Sequence, residues 1–138
     1  MLSRKYFFLG CLLGLILFSV YIKSQPDGKL HIVFCDVGQG DAVYIKMPNG
    51  GDMLIDGGPD GKVLNCLGKN MPFYDRTIDV VVLSHPQKDH LQGILFVLER
   101  YTVKHFIVGI EGIDTDAYKQ LVNLIDKKKI NIQMQRSS

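Results

Sequence analysis

Excess charge of either sign is almost absent from this chain. Its 16 lysines and arginines stand against 14 aspartates and glutamates, for a formal net charge of +2 and a pI near 8.4. A grip on nucleic acid through phosphates alone calls for a strongly basic face, and so mild a surplus gives no basis for one. Lys127-Lys128-Lys129 is the one basic cluster, and it reads as the last turn of a helix, where cations suit the dipole. Cysteine is scarce as well, with 3 in all. Cys11 falls in an apolar run; Cys35 and Cys66 could pair in an oxidising compartment, but no spacing signature demands it. We read them as free, buried thiols. Internal repeats and low-complexity tracts are missing, which leaves out solenoids and disordered tails.

Charge disappears entirely from Tyr6 to Ile22, a run of 17 residues reading YFFLGCLLGLILFSVYI. A bilayer core asks for about 20 apolar residues as a helix, with a usable range of roughly 17–25. Arg4 and Lys5 precede the run, Lys23 follows it, and Tyr6 and Tyr21 stand at its two ends, where interfacial rings belong. Apolar residues on every face do not suit a buried soluble helix. A cleaved secretory signal is the alternative, but Ser19-Val20-Tyr21-Ile22 makes a poor cleavage site. The expectation is a retained single-pass anchor in the cell membrane. The cationic bias leaves the N-terminus cytoplasmic and everything beyond about Lys23 extracytoplasmic. A secreted protein is the alternative. No feature points to a partner protein; the partner implied is the membrane itself.

Ser24-Gln25-Pro26-Asp27-Gly28 is polar and turn-forming, so residues 1–28 are an anchor (helix about 6–22) with its linker, and residues 29–138 are one domain. Strands are expected over Leu30–Cys35, Asp41–Met47 and from Met53, with Asn49-Gly50 turning the second into the third. Val63–Met71 is weakly helical, and Ile78–Leu83 is a β-branched run that reads as a buried strand. Leu91, Ile94, Leu95 and Leu98 follow helical spacing, His105–Val108 is a strand, and a helix capped by Asp114 or Thr115 runs to about Lys128 with Tyr118, Leu121, Val122 and Ile125 inward. Ile130–Met134 alternates as a final strand. The order is a hairpin followed by strand-helix-strand-helix-strand: an α+β domain, a sheet with helices on one face.

The chemistry concentrates in Ser84-His85-Pro86-Gln87-Lys88-Asp89-His90. This loop leaves a buried strand and enters a helix, a place where ligands commonly bind. His85, Asp89 and His90 supply two imidazoles and a carboxylate, donors that suit Zn²⁺ and that Mn or Fe also accept. Asp89 and His90 are adjacent, so their side chains diverge and could serve two metals about 3.5–4 Å apart. Bland readings stand beside this one: a histidine in a turn, and an aspartate before a helix as an ordinary N-cap.

His85-Pro86-Gln87-Lys88-Asp89-His90 resembles the H-x-[H/D]-x-D-H motif of the metallo-β-lactamase superfamily. Phe34-Cys35-Asp36-Val37-Gly38-Gln39-Gly40-Asp41-Ala42 and Leu54-Ile55-Asp56-Gly57-Gly58 are similar to two signatures of its ComEC/Rec2-like hydrolase branch. The three motifs occur in order over about residues 29–110. The resemblance implies an αββα sandwich, of which this chain holds roughly the first half. It implies His85 as a ligand of the first metal, with Asp89 and His90 as ligands of the second. Asp89 is also the implied catalytic carboxylate. Asp56 would support the metal ligands, and Asp36 and Asp41 would brace a tight glycine turn by bonding backbone amides. Gln87 departs from the pattern, since the family has His or Asp there and a neutral amide is a poor zinc ligand. The family's later ligands have no counterpart after His90. Metal-assisted hydrolysis of a phosphodiester, such as DNA, is the implied activity. A non-catalytic module that keeps the fold, or a gene fragment, is the alternative.

Overall fold

The computed structural model describes residues 2–109 and 114–135, so parts of the expected domain at 110–113 and 136–138 lie outside the described residues. The chain is α+β. A long helix α1 (Leu2–Ser24) precedes a mixed sheet of 6 strands in the order β1-β2-β3-β4-β5-β6. These are β1 (His31–Phe34), β2 (Val43–Lys46), β3 (Asp52–Ile55), β4 (Thr77–Leu83), β5 (Thr102–Gly109) and β6 (Asn131–Gln135). The first three strands form an antiparallel meander, and β3 to β6 run parallel. Three helices make the parallel crossovers: α2 (Val63–Asn70), α3 (Lys88–Arg100) and α4 (Asp116–Lys128).

Strand alternation decides where each side chain goes. Val33, Tyr44, Leu54, Val81, Phe106 and Ile132 lie in register across the sheet. This row faces the helices. Leu54, Val81 and Phe106 are fully buried with Val63 and Leu67 of α2, Leu91, Ile94 and Leu98 of α3, and Leu121 and Ile125 of α4. All three helices therefore share one face and one core. α4 starts where Thr115 Oγ1 accepts the Tyr118 amide at 3.3 Å, and it ends at Lys129 with φ 54°. Val122 faces solvent instead of the core, 45% exposed, because helical spacing from Leu121 and Ile125 carries it off the apolar stripe.

The opposite face is open. Ile32, Ile45, Met53 and Val80 form one cross-strand row, and Phe34, Val43, Ile55, Val82 and Ile107 form another. Phe34 is 81% exposed and the central members are half-buried. Parallel sheets occur almost only with both faces covered. Here two apolar rows are bare.

Cys35 and Cys66 form a disulfide, with Cα atoms 5.6 Å apart and a sequence separation of 31. This corrects the expectation of free thiols. The end of β1 and the outward side of α2 approach only in the folded chain, a proximity that spacing along the chain does not reveal. α1 is long and apolar enough to cross a membrane and is not buried by the rest of the chain. It extends the expected 6–22 by four residues at its start and two at its end.

Candidate metal centre

Three loops meet at one end of the sheet: residues 35–42 between β1 and β2, residues 56–62 after β3, and residues 84–87 after β4. Backbone hydrogen bonds tie them together. Gly57 N–H donates to the His90 carbonyl at 2.8 Å, Gly58 N–H to the Asp41 carbonyl at 2.9 Å, and Gly93 N–H to the Gly58 carbonyl at 2.8 Å. So close an approach requires glycine on both sides. A Cβ at Gly93 would meet the Gly57 carbonyl, one at Gly57 would meet the Ile94 amide, and one at Gly40 would meet the Asp89 carbonyl. Gly40 and Gly57, one from each of the two glycine-bearing motifs, thus press against the first turns of α3, where Gly93 makes room for the second.

Asp56 sits at the centre. It is 4% exposed and takes φ 58°, a left-handed conformation that Asp tolerates better than most residues. Its carboxylate accepts from the Ser84 amide at 2.8 Å, the Ser84 hydroxyl at 2.6 Å and His90 Nδ1 at 2.9 Å. The His90 ring, on a residue 7% exposed, is held by that bond. Its proton is thereby on Nδ1, and Nε2 keeps a lone pair. Nε2 lies 3.7 Å from Asp89 Oδ2.

Ser84 was not picked out by its sequence position, yet it links the two histidines. Its single hydroxyl hydrogen goes to Asp56, so toward His85 Nδ1, 2.9 Å away, its oxygen can only accept. His85 therefore also carries its proton on Nδ1 and leaves Nε2 free. The two rings stand 4.0 Å apart between centroids. Pairs of imidazole Nε2 atoms oriented through Nδ1 by oxygen acceptors are the arrangement that metal-binding histidines use. A serine hydroxyl held between a carboxylate and a histidine leaves no mark in a linear sequence, and only the Ser-His dipeptide at a strand end could have hinted at it.

The other expected residues divide. Asp89 is half-exposed in the first turn of α3, where a carboxylate suits the helix dipole. Gln87 is the N-cap residue of α3, its side chain exposed and making no cap bond; its carbonyl receives the His90 and Leu91 amides at 3.1 and 2.9 Å. Asp36 and Asp41 are exposed, and among the described residues neither carboxylate bonds a backbone amide. That corrects the bracing role expected of them: Asp41 holds the turn through its carbonyl, and glycine packing does the rest. His105 lies mid-strand on the open face, in register with Val80, away from this end. Asp114 pairs with Lys119 at 2.8 Å and lies outside the cluster.

Two metal–ligand bonds of about 2.1 Å at a tetrahedral angle span roughly 3.4 Å. The 3.7 Å between His90 Nε2 and Asp89 Oδ2 is close to that bite. Imidazole and carboxylate donors fit zinc, manganese or iron. Among the described residues, however, no group of three or more His, Cys, Asp or Glu side chains is gathered as a ready metal shell. The set would supply at most one edge of a coordination sphere. No protein-family model matches the chain, and no curated protein matches it.

Proposed function

We propose that this chain is a membrane-anchored, extracytoplasmic hydrolase module of the metallo-β-lactamase type, similar to the ComEC/Rec2 branch, whose site takes zinc and acts on a phosphodiester. One observation carries the reading: the Asp56 carboxylate fixes His90 through Nδ1 and, through Ser84, fixes His85, so that two imidazole Nε2 atoms and Asp89 are presented together beyond the ends of β3 and β4. His90 and Asp89 would hold the metal, with His85 beside them. Manganese or iron would suit the same donors. When bound, such a metal lowers the pKa of its water to about 7 and supplies hydroxide at neutral pH. The chain's own contribution is to orient: Asp56 holds the tautomer of His90, Ser84 transmits the same constraint to His85, and the glycine contacts set the height of α3. The bare apolar rows support the αββα reading, because a second sheet of an αββα sandwich would lie against that face.

Zinc titration by calorimetry tests the proposal, with His85→Ala/His90→Ala as the control. Zinc uptake by the chain but not by the control is expected, along with metal-dependent hydrolysis of a bis-aryl phosphodiester. Equal heats from both proteins would end the metal reading. A second reading, a binding module that keeps this architecture without the chemistry, is favoured by Gln87 at the motif's middle ligand position and by the absence of a ready shell among the described residues. Zinc binding with no turnover would favour it.

A further inference from the structure

The end of the sheet opposite the candidate metal centre carries an aromatic pair that serves no core. Phe73 and Tyr74, in the loop between α2 and β4, are 74% and 54% exposed, and their rings pack edge to face 5.3 Å apart. Buried Met71 holds the loop to the domain on one side, and on the other the Asp75 carboxylate turns back to accept the Thr77 amide at 3.0 Å. The pair is therefore presented outward by a fixed loop. Beside it runs the last turn of α1: Val20, Lys23 and Ser24 line a cleft of about 290 Å³ together with Lys46, Phe73 and Tyr74. The helix closes there, with the Gln25 amide donating to the Ile22 carbonyl at 3.2 Å and the Ser24 hydroxyl to the Tyr21 carbonyl at 2.7 Å. Residues 25–30 then lead into β1. Six residues reach at most about 20 Å, so the domain cannot leave the vicinity of the helix end.

We propose that this loop is a second membrane contact. Phe73 and Tyr74 seat in the headgroup layer of the leaflet from which α1 emerges, with Lys23 and Lys46 facing the phosphates of anionic lipid. The inference rests on the reading of α1 as a retained anchor and adds the orientation of the domain. Aromatic rings with one apolar body and a polar tip belong at that depth, and cations next to them add attraction to an anionic surface. α1, Lys46 at the end of β2 and the loop before β4 all mark the base of the sheet, whereas Asp56, Ser84 and His90 lie past the far ends of β3 and β4. A strand of this length spans about 20 Å, so the site faces away from the bilayer.

The chain contains no tryptophan, which makes single-tryptophan reporters direct. The full chain with Phe73→Trp is reconstituted in vesicles of phosphatidylcholine and phosphatidylglycerol, with Phe34→Trp as the reporter at the far end. The expected result is blue-shifted emission from position 73, lost for the most part when the lipids are brominated near the glycerol, and water-like, unquenched emission from position 34. Tyr74→Trp must behave as position 73 does, and serves if the first variant misfolds. A chain that floats with the vesicles while both loop reporters stay unquenched overturns the second contact alone. A blue shift without lipid quenching overturns it in favour of burial of the loop against the chain itself or a second copy of it. A chain that fails to float overturns the anchor and this contact with it.

Discussion

Asp56 offers the sharpest test, because one carboxylate orders both histidines. Asp56→Ala removes three hydrogen bonds and leaves His90 Nδ1, almost fully buried, without its acceptor. An orphaned buried polar group costs about 1–3 kcal/mol, the Ser84 groups can turn to water at lower cost, and alanine at φ 58° adds roughly 1 kcal/mol. The sum is about 2–4 kcal/mol of stability. Asp56→Asn separates the contributions. Asparagine tolerates the backbone conformation and keeps an acceptor for the Ser84 amide, but its amide hydrogens cannot serve His90 Nδ1–H and the Ser84 hydroxyl as the carboxylate does. Its stability cost should be about half that of alanine. The effect on zinc should be as large in both variants, a 10- to 100-fold loss of affinity of the kind seen when an orienting acceptor is removed, or about 1.4–2.7 kcal/mol. Thermal unfolding followed by circular dichroism in detergent reads the first quantity, and calorimetric zinc titration reads the second. Undiminished zinc affinity in Asp56→Asn would show that His90 does not bind metal through a ring held by Asp56.

Three further outcomes follow from the geometry. Reducing the Cys35–Cys66 bond, or replacing both residues with serine, reopens a loop of 31 residues. Chain entropy sets the loss at about 3–4 kcal/mol, near 15 °C in melting temperature for a domain of this size, and an unchanged melt under reductant would argue against the pairing. Gly93→Ala, a change that ordinarily favours a helix by about 1 kcal/mol, should instead destabilise by about 2–3 kcal/mol because its Cβ meets the Gly57 carbonyl; urea midpoints read the sign. Burial raises the Asp52 carboxyl above its ordinary range, so the fold prefers it protonated, and stability from this group is present at low pH and lost as pH rises through the raised value. Asp52→Asn keeps an acceptor for the Asp79 amide and should flatten that decline in a series of denaturant midpoints from about pH 4 upward.

The elements were legible because local signals agreed with the fold. Asn49-Gly50 turned the hairpin, the β-branched run Ile78–Leu83 became the central parallel strand, and helical spacing at Leu91, Ile94, Leu95 and Leu98 put all four in the core. What escaped depends on distance along the chain. Asp56 and His90 are 34 residues apart, and nothing in either neighbourhood announces a bond between them. Cys35 and Cys66 met for the same reason. Ser84 was passed over because its role is fixed by partners on both sides at once. The exchange at Asp41, where a carbonyl replaces the expected carboxylate, reflects a turn already determined by glycine contacts. Apolar residues at consecutive positions of β1, from Ile32 to Phe34, carried the clearest hint of the bare face, since a strand covered on one side alternates.

Two features with no common cause support the same compartment for the domain. Arg4 and Lys5 against Lys23 is a bias of charge around α1, and on the proposed anchor reading it would place residues beyond the helix outside the cytoplasm. The Cys35–Cys66 bond is a matter of redox chemistry, and structural disulfides persist mainly where thiols are not kept reduced. The first could hold if the second were absent, and the reverse. The same disulfide also bears on the site. It ties the end of β1 to α2, and the loop that begins at Cys35 carries Gly40, which packs on the Asp89 carbonyl. A bond favoured by an oxidising compartment therefore braces one wall of the candidate metal centre, and under the proposed function reductant should loosen zinc binding as well as lower stability.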